Sequence, residues 1–260
     1  MFAGMFLAID IGNSSAKCGT FGRSGIEHSF RIPHGSWSGV DELVERISTE
    51  LTITVEDVAI SSVSAGPTTD FRKAAYLLTG EEPFIVDHSN NFGFEIDYDP
   101  PEDCGLDRLL AAAAAVETIG APCIVCDFGT AITIDLVDES LVYRGGLIAP
   151  GIMTQLGSLH RNTAKLPDLK PEKDAPLIGN STASSIYSGV INGIAAMSDG
   201  MIRRMKEVFA PGARVIATGG DATVVFENSE MIEAVEPYLV LEGIVSVHRR
   251  NSSDQRSSGQ

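Results

Sequence analysis

Two rhythms of apolar and polar positions alternate along this chain. Short apolar runs of strand length recur, and longer stretches with helical spacing stand between them. Residues 7–17 read LAIDIGNSSAK: an apolar strand, an Asp, a Gly and a polar pair, then more strand-like sequence. Val40–Leu51 has helical spacing, and Val58–Val63 reads as a strand ending in a loop at Ser64–Thr69. Asp70–Leu78 reads as a helix and Pro83–Val86 as a strand. An irregular segment follows, His88–Pro101, closed by two prolines. A helix then runs from about Leu106 through Ala111–Ala115, alanine being the best helix former. In the second half, strands at Cys123–Cys126, Thr133–Val137 and Leu141–Tyr143 lead into Gly145-Gly146. Ala149-Pro150-Gly151 opens a further helix. Asn180–Met205 is a long helical pattern with Ser and Thr at its start as caps. Arg214–Ala217 reads as a strand ending in Thr218-Gly219-Gly220-Asp221, and Tyr238–Val247 as a last helix. Strands and helices mix in both halves, which predicts an α/β class.

The pattern repeats. Residues 124–134, IVCDFGTAITI, echo residues 7–17, and the two aspartates, Asp10 and Asp127, stand 117 positions apart. That is about half the chain, the distance expected of duplicated lobes. In each half a buried strand delivers an Asp at its end, and a Gly turns the chain tightly. The amides and hydroxyls around that Gly are then free to meet phosphate. The expected division is 1–117 for the first lobe and 118–250 for the second. The polar, Ser-rich residues 251–260 are expected to form a disordered tail.

Composition narrows the partners. The formal net charge of −16 disfavours nucleic acid, whose phosphates need Lys and Arg stripes. Any phosphate site must supply its own local cations or metal. No apolar stretch is long enough to span a membrane. Met1–Asp10 lacks a basic region and a cleavage site, so it reads as a first strand and not a signal peptide. Of the four cysteines, Cys123 and Cys126 form a C-x-x-C. On a strand, residues three apart point to opposite faces, so these two read as buried structural thiols and not a metal grip. With no framework of paired cysteines, a reducing, cytoplasmic setting is expected.

Four segments carry candidate chemistry. At Asp10-Gly12-Asn13-Ser14-Lys17, Asp10 suits Mg²⁺ held through water, the turn offers donors, and Lys17 meets phosphate as a point charge. Alone, Asp-x-Gly-Asn is also an ordinary β-turn. Asp127-Gly129-Thr130-Thr133 is the matching loop of the second half. Together the two point to a nucleotide cleft between the lobes. At Gly105-Leu106-Asp107-Arg108, Arg108 suits a substrate carboxylate and Asp107 suits a hydroxyl proton. Alone, this reads as a normal helix start, where Asp favours the dipole. Thr218-Gly219-Gly220 lets a ligand such as adenosine approach the backbone, or is a plain turn. His160 reads as a surface histidine near a loop, with substrate contact as the alternative.

Taken together, these motifs resemble the type III pantothenate kinase family over nearly the whole chain. The matching segments include DIGNSSAK (10–17), SSV (61–63), YDPPEDCGLDR (98–108), DFGTAIT (127–133), GGLIAPGI (145–152), TAKLP (163–167), GNSTASSIYSG (179–189), ATGG (217–220) and LEGI (241–244). The resemblance implies two ribonuclease-H-like lobes of the actin-like ATPase fold around an interlobe nucleotide cleft. It implies transfer of the ATP γ-phosphate to the hydroxyl of pantothenate, the first step of coenzyme A synthesis. By matching position, Asp107 is the catalytic base. Tyr98, Gly105, Leu106, Asp107, Arg108 and Thr182 bind pantothenate. Asp10, Ile11, Gly12, Asn13, Ser14, Ser15, Ala16 and Lys17, with Gly129, Thr130 and Gly219, bind ATP. Asp127 holds a monovalent cation, K⁺ or NH₄⁺, beside the Mg²⁺ at Asp10. A homodimer is implied as well. Ser14, Ser15 and Leu106 stand where the family often has Thr, Asn and Ala. The competing readings are a non-catalytic regulatory relative, a same-fold kinase for a sugar or another hydroxy acid, and a passive scaffold.

Overall fold

The computed structural model describes residues 5–51, 53–172 and 174–257. In its first part the elements are β1 (Met5–Ile11), β2 (Ser15–Gly22), β3 (Gly25–Pro33), α1 (Val40–Glu50), β4 (Val55–Ser62), α2 (Ala65–Thr79), β5 (Phe84–Ile85), β6 (Glu95–Ile96) and α3 (Leu106–Ile119). Then follow β7 (Cys123–Phe128), β8 (Ala131–Val137), β9 (Val142–Pro150), α4 (Ile152–Arg161), α5 (Thr182–Tyr187) and α6 (Gly193–Val208). The chain ends with β10 (Arg214–Thr218), α7 (Ala222–Phe226), β11 (Ala234–Val235) and α8 (Leu239–Ser257). It divides into two compact units: Met1–Gly93 with Asp99–Ala114 and Val240–Gln260, and Phe94–Tyr98 with Ala115–Leu239. The division is not linear in sequence. From Val240 onward α8 belongs with the first unit, which a single cut after residue 117 does not describe.

In the first unit five strands form one sheet in the order β3-β2-β1-β4-β5. β1 pairs antiparallel with β2 and parallel with β4. Its residues Met5–Ile9 are all buried, as a central strand covered on both faces requires. Leu7, Ile9 and Ile11 join Val58 and Ile60 in a core under α1 and α2, with Leu43, Ile47 and Phe71. Residues of the opposite register meet α8. The Phe6 ring lies 4.9 Å from that of His248, and His248 Nε2 is 3.1 Å from Asp57 Oδ2.

α8 also meets α3 at close range. A Cβ on Gly243 would collide with the Leu110 carbonyl and Cα. The buried run Ala111–Ala115 is therefore a packing surface as well as a helix-forming one. This reverses the usual rule for glycine in a helix. Gly243→Ala gains up to about 1 kcal/mol of helix propensity. Forcing α3 and α8 apart costs about 3 kcal/mol. The expected net result is a fall in Tm of about 5 °C, read by calorimetry. A raised Tm would rule out the close crossing.

The second unit repeats the topology. Its sheet runs β11-β10-β7-β8-β9, with β6 added beside β9. β7 is again central, antiparallel to β8 and parallel to β10. Its core gathers Ile124, Cys126 and Phe128 with Ile134, Ile191, Ile202 and Val215.

Four expectations change. The expected loop Ser64–Thr69 is mostly helix, because α2 begins at Ala65 and Pro67 is tolerated in a first turn. The irregular segment His88–Pro101 contains the short strand β6, whose Glu95 pairs with Val142. Gly145-Gly146 does not end a strand but lies inside β9, where Gly145 takes φ 78° and the pairing with β8 slips between Asp135 and Val137. Residues 251–257 of the expected tail continue α8. Asn251 donates to the Val247 carbonyl at 2.7 Å and accepts from the Asn91 amide at 3.0 Å, so polar side chains hold the helix on. Residues 258–260 lie outside the described residues. All four cysteines are buried and unpaired, as expected. Burial pushes the Cys123 thiol up to about 12 and raises those of Cys18 and Cys126 further.

Candidate active site

In the first unit, Asp10 is the penultimate residue of β1 and is half-buried. The register places Lys17 of β2 directly across from it and Ser61 of β4 beside it. Register partners share a face, so Lys17, Asp10 and Ser61 form one row at the end of the sheet. The Ser61 hydroxyl is buried and makes no hydrogen bond. Beyond Ile11 and Ala16 the chain turns through Gly12-Asn13-Ser14-Ser15, closed by the Gly12 amide donating to the Ser15 carbonyl at 3.1 Å. Asn13 and Ser14 are exposed at the tip.

The second unit builds the same row from other side chains. Asp127 pairs with Thr133 of β8 and Thr218 of β10. The turn is one residue shorter here, and the Gly129 amide donates to the Ala131 carbonyl at 3.0 Å. The offset of 117 between Asp10 and Asp127 therefore drops to 116 between Lys17 and Thr133. A hydroxyl replaces the ammonium. The Gly219 backbone presses on this strand end. With φ 98°, any Cβ there would meet Asp127 Oδ1 and the Phe128 carbonyl. The Asp221 amide donates to the Phe128 carbonyl at 2.9 Å and ties the turn down. Burial pushes the Asp221 carboxyl above its usual range.

At the start of α3, the Gly105 carbonyl accepts from the amides of Arg108 and Leu109 at 3.1 and 3.3 Å. Asp107 is exposed. Its Oδ1 accepts from the Arg108 amide at 2.9 Å and lies where a Cβ on Gly105 would be. Glycine at 105 thus lets the carboxylate fold back over the helix start. Arg108 is only 7% exposed and Leu106 8%. A guanidinium buried to that degree stands apart from an ordinary surface helix start, where Arg stays in water.

In the second unit, Tyr98 packs on Gly145, whose ideal Cβ would lie 3.2 Å from Tyr98 Cδ2. Thr182 opens α5 behind the Ser181 cap and lines a cavity of about 1090 Å³ with Pro150, Thr154, Gln155 and Ser158. Tyr98 is not in that cavity. His160 is exposed in the last turn of α4 and shares a 3.0 Å hydrogen bond with the Leu166 carbonyl, so it pins the following loop. Sequence reasoning gave no site role to His34, Ser61 or Gly151; Ser61 stands beside Asp10, and His34 and Gly151 each donate an amide to one of the two turns.

A family model for the type III pantothenate kinases matches residues 6–204. The chain belongs to that family. It is an ATP-dependent phosphotransferase. Many solved structures share the fold, three of which follow. A protein named as a conserved Baf family transcriptional activator from Campylobacter jejuni matches with a TM-score of 0.63 at 20% identity, over 95% of this chain and 99% of that one. Component A of the Acidaminococcus fermentans (R)-2-hydroxyglutaryl-CoA dehydratase gives 0.54 at 14%, over 97% and 99%. A glucokinase from an Antarctic psychrotroph gives 0.52 at 11%, over 96% and 100%. The fold is that of the actin-like ATPases, with two ribonuclease-H-like lobes.

A kinase of this family uses ATP and a divalent metal. Among the described residues no three His, Cys, Asp or Glu side chains cluster into a metal cage. The residues present fit magnesium, which keeps most of its waters and is shared between one or two carboxylates and phosphate oxygens. A half-buried carboxylate near a strand end, as Asp10 is, meets that requirement. Also among the described residues, no helix is long and apolar enough to cross a membrane.

Proposed function

We propose that this family member phosphorylates pantothenate. The observation that carries this reading is the Gly105–Arg108 element, where a buried guanidinium and an exposed, hydrogen-bonded carboxylate stand on adjacent residues. An acceptor bearing both a carboxylate and a hydroxyl matches that pair, and a sugar does not. Arg108 neutralises the acceptor carboxylate. Tyr98, Gly105, Leu106 and Thr182 complete its contacts. Asp107 takes the hydroxyl proton as the oxygen forms its bond to the γ-phosphorus, the bond to the β-phosphate oxygen breaks, and ADP leaves. Asp10 to Lys17, with Gly129, Thr130 and Gly219, bind ATP, and Asp10 is the carboxylate that would hold the magnesium ion, through water. When bound, that ion neutralises phosphate charge. Asp127, with Thr133 and Thr218 as its register partners on the neighbouring strands, takes a monovalent cation, K⁺ or NH₄⁺.

A homodimer and a cytoplasmic location belong to the same reading. Leu177 and Ile178 are 81% and 85% exposed, an apolar pair that a second copy would cover. Purified protein with Mg²⁺ and ATP is expected to phosphorylate pantothenate, faster in potassium than in sodium, and to leave glucose untouched. Turnover of glucose alone would replace the acceptor. No turnover of either by folded protein would favour a regulatory relative.

A further inference from the structure

The two turns that carry Asp10 and Asp127 are each braced from the end of the third strand of their own sheet. The braces differ. β3 ends at Pro33 and β9 at Pro150, again 117 positions apart. The next residue in each unit donates its amide to a turn carbonyl: His34 to Ser14 at 2.9 Å, and Gly151 to Thr130 at 3.0 Å. Up to this point the units agree. In the second, the first glycine of the turn is met by backbone, since a Cβ on Gly151 would collide with the Gly129 carbonyl. Thr154 of α4 adds a 2.7 Å bond from its hydroxyl to the Thr130 carbonyl. In the first, the equivalent carbonyl, that of Gly12, lies 2.8 Å from His34 Nε2. A carbonyl only accepts, so Nε2 is the atom that carries the proton. The ring stands edge-on to Trp37 at 6.0 Å, and Trp37 is itself held by Asp70 Oδ2 at 3.0 Å. Nδ1 is buried without a hydrogen bond. The imidazole has one polar bond, and that bond goes to the turn.

We infer that His34 is a positioning residue for the nucleotide, fixing the Gly12–Ser15 turn by its side chain where the second unit uses close backbone contact. The inference rests on the reading that this turn binds ATP. With the Gly12 and Ser14 carbonyls both held from His34, the exposed tip at Asn13 and Ser14 is kept in one arrangement. Without the imidazole, one of the two anchors is lost and the turn samples others, so nucleotide binding weakens while the acceptor site is untouched.

The experiment measures MgATP binding by titration calorimetry, with KM for ATP and for the acceptor, on wild type, His34→Ala, His34→Gln and Lys17→Ala. A glutamine amide reaches about as far as imidazole Nε2. His34→Ala is expected to raise Kd and KM for ATP about tenfold, leave the acceptor KM within about twofold, and lower Tm only slightly. His34→Gln is expected to recover most of the loss. Unchanged ATP binding in His34→Ala, with Lys17→Ala impaired, overturns the inference and leaves the ATP reading standing. A broad loss in both KM values with a fallen Tm and no recovery in His34→Gln overturns it as well, since His34 is then a general structural residue. Unchanged ATP binding in Lys17→Ala removes the ATP reading itself, and the inference with it. Calorimetry needs no acceptor, so these outcomes do not depend on pantothenate being the substrate.

Discussion

Asp107→Asn is expected to lower kcat by about 10³-fold, within the range of a general base, and to leave the fold intact. The geometry separates the two effects. Asp107 Oδ1 accepts from the Arg108 amide at 2.9 Å, and an asparagine oxygen makes the same bond. The side chain is exposed, so the change buries nothing. What is lost is the ability to take a proton. Phosphoryl transfer has a loose transition state in which the nucleophile is little bonded, so the base contributes less than in acyl transfer. That argues for thousands-fold and not millions-fold. The KM values should move by no more than a few fold, because the Arg108 guanidinium and the ATP turns are unchanged. Asp107→Ala is a weaker probe, since it also removes a helix-start acceptor worth about 1 kcal/mol. Near-normal kcat in a folded Asp107→Asn protein would take the base role away from this residue.

Much of this site was legible because its chemistry follows local strand signals. Asp10 and Asp127 end apolar runs, and a Gly follows each at the same distance. The duplicated sheet topology then follows from two similar hairpins. The third strands were not matched in this way. Their sequences, GIEHSFRIP and VYRGGLIAP, share only the final Pro at an offset of 117. That offset was the signal that would have paired His34 with Gly151, which was otherwise legible only within the segment GGLIAPGI. A simple alignment at 117 also mispairs Lys17 with Ile134, because the second turn is a residue shorter. Other misses reflect tertiary context overriding local propensity. Gly145-Gly146 has turn composition but is kept in β9 by its ladder to β8 and by Tyr98 packed on Gly145. The Ser-rich end of the chain has linker composition but is anchored through Asn251. The return of α8 to the first unit depends on a crossing at Gly243 that no local pattern announces. Arg108 reads as a surface helix-start residue until its burial is seen.

Gly219→Ala is expected to reduce kcat/KM for ATP by about 10²-fold (about 2.7 kcal/mol), the second large effect. Gly219 has φ 98°, which costs a residue with a Cβ about 1–2 kcal/mol in strain. Its Cβ would also meet Asp127 Oδ1 and the Phe128 carbonyl. The backbone contact cannot yield freely. The Phe128 carbonyl is fixed by the Asp221 amide at 2.9 Å, and Phe128 itself is packed in the core. The turn must therefore lift off the end of β7, or the Asp127 carboxylate must swing away. Either movement disturbs the row of Thr133, Asp127 and Thr218 that is proposed to hold the monovalent cation. Added potassium should consequently stimulate the variant less than wild type, which separates a damaged cation site from a simple loss of stability. Gly220→Ala gives the comparison for the fold. Nothing lies within 4 Å of its ideal Cβ and its φ is not positive, so stability should stay within about 0.5 kcal/mol of wild type. Wild-type kcat/KM and full potassium stimulation in Gly219→Ala would mean that this turn is only a turn, and that Asp127 is positioned by its strand alone.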